Sequence, residues 1–150
     1  MYARGTSVSV EKSRAEIETV LRRYGASHFA YMAAPDKATV AFQARDRRIR
    51  FDLPLPDINA KQFQRDGRGT PLSPVKRHER WEQACREKWR ALALCIKAKL
   101  EAVESHIESF EDAFLAHIIL DDGRTVGEVT IPRLAQIYAG ENVPLLPPPG

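Results

Sequence analysis

Glu104, Glu108 and Asp112 stand at i, i+4 and i+8, a spacing that lines three carboxylates along one face of a helix, where such a set can hold a divalent cation. A metal-dependent nuclease is the chemistry that arrangement would serve. Nothing else in the chain supports it. His28, His78, His106 and His117 form no H-E-x-x-H, and Cys85 and Cys95 form no C-x-x-C. A glycine-rich phosphate cradle, a G-x-S-x-G elbow and a nucleophile with a base at motif spacing are all missing. The acidic set therefore reads first as a solvated face, and no metal or cofactor is expected. The chain is read as a non-enzyme, with the nuclease as its one catalytic alternative.

The stronger constellation is cationic. Residues 45–50 read Arg-Asp-Arg-Arg-Ile-Arg, four arginines in six positions. Arginine offers a planar fork that grips phosphate with two parallel hydrogen bonds and also stacks on bases. Arg45, Arg47, Arg48 and Arg50 are followed by Lys61, Arg65, Arg68, Lys76 and Arg77, and Tyr31, Phe63 and Trp81 lie among them as candidate stacking faces. Arg48 and Arg50 alone would suit a solubilising role, paired across strands with acidic neighbours. Their recurrence in the next segment favours a polyanionic partner instead. The charge divides along the chain in the same sense. Residues 1–100 hold 21 Lys/Arg against 11 Asp/Glu (+10), residues 101–150 hold 2 against 9 (−7), and the two sum to the formal +3. A basic body with an acidic C-terminal third suggests a polyanion, a neighbouring copy, or both.

The elements that must position these groups follow from periodicity. Ser13 and Glu16 have capping-box spacing ahead of Ile17, Val20, Leu21 and Tyr24, and Gly25 suits a C′ position, which predicts a short amphipathic helix. The segments SHFAYMA, KATVAFQA and RRIRFDL, separated by APDK and RDR, predict a three-stranded antiparallel meander. Strand alternation puts Ile49, Phe51 and Leu53 on one face and Arg48, Arg50 and Asp52 on the other, with Val40 and Phe42 inward and Thr39, Ala41 and Gln43 outward. Residues 54–77, rich in proline, glycine and basic side chains, predict a long mobile loop.

From about His78 the apolar positions Trp81, Cys85, Trp89, Leu92, Ile96, Leu100, Val103 and Ile107, then Phe110 and Phe114, recur every three or four residues. A helix to Ile107 would run about 45 Å, longer than the sheet it covers. Cys85 and Cys95, about 15 Å apart along it, read as reduced packing residues. The stretch AHIILDDGRTVGEVT predicts a hairpin turning at Asp122-Gly123. A short helix should follow, with Thr130 near its N-cap, Pro132 in its first turn and Gly140 closing it. The expected fold is α+β: a helix, the meander, a long amphipathic helix packed on the sheet, then a hairpin and short helix. One domain is expected over 1–143, followed by a proline-rich tail over 144–150. No apolar run approaches the roughly 18 residues of a membrane span, and the N-terminal stretch lacks a signal peptide's apolar core, so a cytoplasmic location is expected.

The segments LPLPD (53–57), KWRALALCIKAKLEAVES (88–105), FEDAFLAHIILDDGRTVGE (110–128) and YAGENVPLLP (138–147) resemble a group of small, uncharacterised proteins carried by bacteriophages and prophages. That resemblance implies a bacterial host cell and no assigned chemistry. A weaker, architectural resemblance is to the ring-forming single-strand annealing proteins of phage recombination, which implies an oligomer holding DNA on a basic surface. The segment KRHERW only loosely echoes the basic motif of double-stranded-RNA-binding domains.

Together these readings predict a non-catalytic protein that binds single-stranded nucleic acid, most directly DNA. It would act as a homo-oligomer through Arg45, Arg47, Arg48, Arg50, Lys61, Arg65, Arg68, Lys76 and Arg77, with Tyr31 as a stacking face. The alternative is a phage-encoded inhibitor or adaptor of host machinery, in which Glu101, Glu104, Glu108 and Asp112 meet a basic protein surface.

Overall fold

The computed structural model describes residues 1–146 and 148. Residues 147, 149 and 150 of the expected proline-rich tail lie outside the described residues. The architecture is α+β: helix α1 (Val10–Arg23), strands β1 (Ser27–Ala33), β2 (Lys37–Ala44) and β3 (Arg47–Pro54), the long helix α2 (Pro74–Glu104), and the short helices α3 (Phe110–Phe114) and α4 (Val126–Tyr138). Among the described residues no helix is long and apolar enough to cross a membrane.

α1 starts one turn earlier than the Ser13–Glu16 spacing predicts. Ser9 is the N-cap, its hydroxyl accepting the Lys12 N–H at 3.1 Å, whereas Ser13 is fully buried inside the helix. The expected end holds. Gly25 adopts φ 90°, its N–H bonds to the Arg22 carbonyl, and Ala26 N–H reaches back to Leu21, a Schellman closure.

The three strands form an antiparallel sheet in the order β1-β2-β3. Val40 pairs with Phe51 and Phe42 with Ile49, so the predicted inward residues share one face, which α1 and α2 cover through Ile17, Leu21, Trp89, Leu92 and Ile96. Thr39, Ala41 and Gln43 lie opposite Asp52, Arg50 and Arg48 on the outer face. The β2–β3 turn places two non-glycine residues, Arg45 and Asp46, at φ 51° and 58°, the backbone of a type I′ turn. The Arg45 guanidinium sits 5.0 Å over the Tyr24 ring at the end of α1, which anchors that strained corner.

α2 is 31 residues long, about 46 Å at 1.5 Å per residue, and begins at Ser73, whose hydroxyl accepts the Lys76 N–H at 3.3 Å with Pro74 at the first helical position. It therefore takes four residues from the predicted loop. The remainder is tied down. Phe63 and Leu72 are buried, Leu72 N–H bonds to Gln64 O at 2.9 Å, and Trp81 Nε1 donates to Pro56 O at 2.8 Å.

The helical period does not carry α2 to Ile107. His106 turns left-handed at φ 59°, His106 N–H bonds to Val103 O, and Ile107 N–H bonds to Ala102 O. This Schellman closure has histidine in the place glycine usually takes, and it throws Ile107 into solvent. Ser109 caps α3, which folds Phe110 and Phe114 back into the core against Tyr24, Phe42 and Phe51. Cys85 is buried as expected, but Cys95 faces solvent.

The expected hairpin reduces to a tight turn at Asp122-Gly123 and a single bridge, Ile119 with Thr125. Ile118 bridges to Ile49, and Ile119 N–H donates to Arg48 O at 2.8 Å, so this segment covers the β3 edge. α4 begins at Val126 because Thr125 and Glu128 cap it: Thr125 Oγ1 accepts the Glu128 N–H at 3.1 Å. Pro132 consequently lies inside the helix and not in its first turn, while Gly140 closes it at φ 91° as predicted.

Candidate nucleic-acid interface

Eight of the nine predicted cations fall into two groups at opposite ends of the sheet, and Arg50 lies midway along β3. Leu55 N–H bonds to Asp36 O, which places the start of the loop beside the β1–β2 turn. Arg45 and Arg47 flank the β2–β3 turn, the full eight residues of β3 away, about 25 Å. That separation exceeds a physiological Debye length of about 8 Å, so the two groups do not act as one field on an exposed surface.

Of the arginines on the β2–β3 turn and β3, Arg45 and Arg50 are committed or neutralised. Arg45 stacks on Tyr24 and lines a cleft with Glu104, Glu108 and Glu111. Arg50 ion-pairs with Glu128, sits 3.3 Å from the Asp52 carboxylate and donates to Gly123 O at 2.8 Å, which clamps α4 and its preceding turn to the sheet. Arg47 and Arg48 are exposed and have no ion pair among the described residues. Tyr31 belongs on the other side altogether. It pairs with Val40 on the core face, its hydroxyl donates to Glu18, and the Arg14 guanidinium lies 5.2 Å over its ring. Burial, followed by the neighbouring Glu18 charge, pushes its phenol up to about 12. Tyr31 is a packing residue and not a stacking face beside the arginines.

The loop end is different. Lys61, Arg65, Arg68, Lys76 and Arg77 gather around the 3₁₀ turn Lys61–Phe63 and the first turn of α2, and none is in an ion pair among the described residues. Arg65 and Arg77 spend one donor each on Gly69 O and Leu72 O; Arg65 is exposed and Arg77 half-buried. Asp66 remains ionised among them, its carboxyl lowered by the Thr70 and Arg68 backbone N–H groups. Arg80, one turn beyond Lys76, joins the group. It lies outside the cations predicted for the site, although its i+4 spacing from Lys76 marks it in the sequence.

This charge runs against the backbone field. The first turn of α2 contains no acidic residue and the last turn no basic one, whereas α1 has Glu11 in its first turn and Arg22 and Arg23 in its last. A helix N-terminus carries a partial positive charge, so cations there cost stability that an anionic ligand would restore.

Next to this pole, a cleft of about 540 Å³ opens between α2, the N-terminal turn of α1 and the β1–β2 turn. Trp81, Trp89, Val10, Leu55 and Cys85 supply apolar walls, with Glu82 and Arg86 also lining it. Of the three aromatic candidates, Phe63 is buried and only Trp81 presents a partly open ring at this pole.

At the opposite end, Glu101, Glu104, Glu108 and Asp112 are all exposed, but they do not share one helical face. Glu104 ends α2, Glu108 lies in the turn after it, and Asp112 belongs to α3. No group of three metal-ligating side chains forms among the described residues, so the carboxylate triad of the nuclease reading is not assembled. Comparison with known protein families, curated proteins and solved structures finds no match for this chain, and the functional reading rests on the geometry above.

Proposed function

We propose that this chain is a non-catalytic nucleic-acid-binding protein that takes single-stranded DNA at the loop end of the sheet, in the manner of a phage annealing or recombination-mediator protein. The observation that carries this reading is the gathering of Lys61, Arg65, Arg68, Lys76 and Arg77, none of them in an ion pair among the described residues, around a helix N-terminus whose field they oppose. Phosphates satisfy both the side chains and the helix end, and such contacts carry no base information, so binding is sequence-tolerant. A base leaving a flexible single strand has the Trp81 ring within the adjoining cleft to stack on, which a paired base in a duplex does not reach.

The test is fluorescence anisotropy of labelled single- and double-stranded oligonucleotides across a salt series. Five phosphate contacts predict a slope of log affinity against log salt of about −3.5 on single strands. Lys61→Glu with Arg68→Glu should flatten it by about 1.4, two contacts' worth, while Arg47→Glu with Arg48→Glu leaves it nearly unchanged. A slope near zero for the unaltered protein removes the reading. The exposed acidic end favours the second reading, an adaptor for a basic protein surface. It would win if Glu104→Lys with Glu108→Lys abolished function while the loop reversals did not.

A further inference from the structure

We infer that the exposed face of α4 is the contact between two copies of this chain. Gly127, Ile131, Leu134 and Tyr138 fall at i, i+4, i+7 and i+11, a single helical stripe with Ile137 at its margin. The root of the stripe is packed: a Cβ at Gly127 would lie 2.9 Å from the Ala116 carbonyl oxygen. Its continuation is bare, with Ile131 62%, Leu134 42%, Ile137 39% and Tyr138 89% exposed, and Leu115, beside Ala116, 50% exposed. Among the described residues, the chain after α4 does not cover it. Val143 and Pro144 lie with Pro132, Arg133 and Gln136 on the opposite side, where Arg133 donates to Pro144 O at 2.7 Å.

A second copy is the occupant that charge and area select. Residues 129–140 contain one charged side chain, Arg133, in a chain that is 29% charged. Across a two-fold axis each residue near the axis meets its own kind, so a charged stripe would repel itself, while a partner chosen by charge would need charges to read. The area is also commensurate. At about 100 Å² for an aliphatic side chain and about 200 Å² for tyrosine, the five exposures amount to roughly 370 Å² of apolar surface per copy. A standard interface takes about 800 Å² from each partner, a little over half of it apolar, or about 450 Å². The stripe supplies most of that share. The pairing is isologous and leaves both basic loop ends free.

Size-exclusion chromatography with light scattering, without nucleic acid, tests this independently of the binding reading. The unaltered chain should give twice 16.9 kDa, 33.8 kDa, at micromolar concentration. Ile131→Glu and Leu134→Glu should each return 16.9 kDa with unchanged circular dichroism, because both side chains are exposed in the single chain. In a Cys95→Ser background, Leu134→Cys should oxidise to a covalent dimer and Arg47→Cys should not. A mass of 16.9 kDa for the unaltered chain at every concentration, or a larger mass that survives both glutamate substitutions, overturns the inference.

Discussion

Lys76→Glu should make the protein more stable and bind nucleic acid less well. Lys76 is the third residue of α2, and its backbone N–H already bonds to the Ser73 hydroxyl at 3.3 Å. Glutamate at this position completes a capping box, with the carboxylate reaching back to the Ser73 N–H. Removing a cation from the helix N-terminus relieves about 0.3–1 kcal/mol, and placing an anion there adds a similar amount, both reduced by screening at an exposed site. With the extra hydrogen bond the gain is about 1–2 kcal/mol, which for a chain of 150 residues raises the melting temperature by roughly 3–6 °C. The same substitution removes one phosphate contact, so the single-strand salt slope should move from about −3.5 to about −2.8. Lys76→Gln separates the capping bond from the added anion, since glutamine makes the reciprocal bond without a negative charge while still losing the phosphate contact. The assays are thermal denaturation followed by circular dichroism and the anisotropy salt series. If Lys76→Glu melts no higher than the unaltered chain and keeps its salt slope, then the basic start of α2 neither costs stability nor contacts phosphate, and the binding argument loses its foundation.

Two further perturbations probe the frame. Glu16 ion-pairs with Arg90 and Lys97, and hydrogen bonds from Arg90 and then Lys97 lower its carboxyl from the ordinary 4.5 to about 2. Because the folded value is depressed, its contribution is complete above pH 4.5 and lost as pH falls toward 2. Denaturant titrations should show the unaltered chain losing on the order of 1 kcal/mol more than Glu16→Gln over that window, the partial exposure of the carboxylate limiting the effect, and equal losses would refute the linkage. Gly127→Ala would raise α4 propensity by about 1 kcal/mol if the site were open. With a Cβ 2.9 Å from Ala116 O, it should instead lower stability by about 1–3 kcal/mol, and a higher melting temperature would show that α4 does not rest on that turn.

The elements that were legible in advance are those whose signal is local. Alternation in β2 and β3 is a property of one strand at a time, and the observed register keeps Ile49, Phe51 and Leu53 inward as alternation requires. Gly25 and Gly140 announced their helix ends because only glycine enters the left-handed region freely. His106 performs the same closure with an ordinary side chain, so the apolar period appeared to run on through Ile107. Of two serines near the start of α1, the more distant is the cap, and the nearer is buried by packing that spacing does not reveal. The start of α4 was missed although Thr125 and Glu128 have capping-box spacing, because the Asp122-Gly123 turn drew the segment toward a hairpin.

The candidate site divides the same way. Residue types and order by themselves determined that the chain is α+β, that its cations concentrate before residue 100 and its carboxylates after it, and that arginine alternates outward on β3. Which charges stand together was decided only by the tertiary structure. A strand about 25 Å long carries Arg45 and Arg47 away from Lys61 and Arg65, and the return of α2 across the sheet brings Glu104 and Glu108 beside Arg45. Docking of α4 turns Arg50 from a surface cation into a clamp on Glu128 and leaves Ile131, Leu134 and Tyr138 without cover. Periodicity reports which face of an element a residue occupies, whereas Coulomb interactions and burial depend on distances between elements, and those are set when the chain packs.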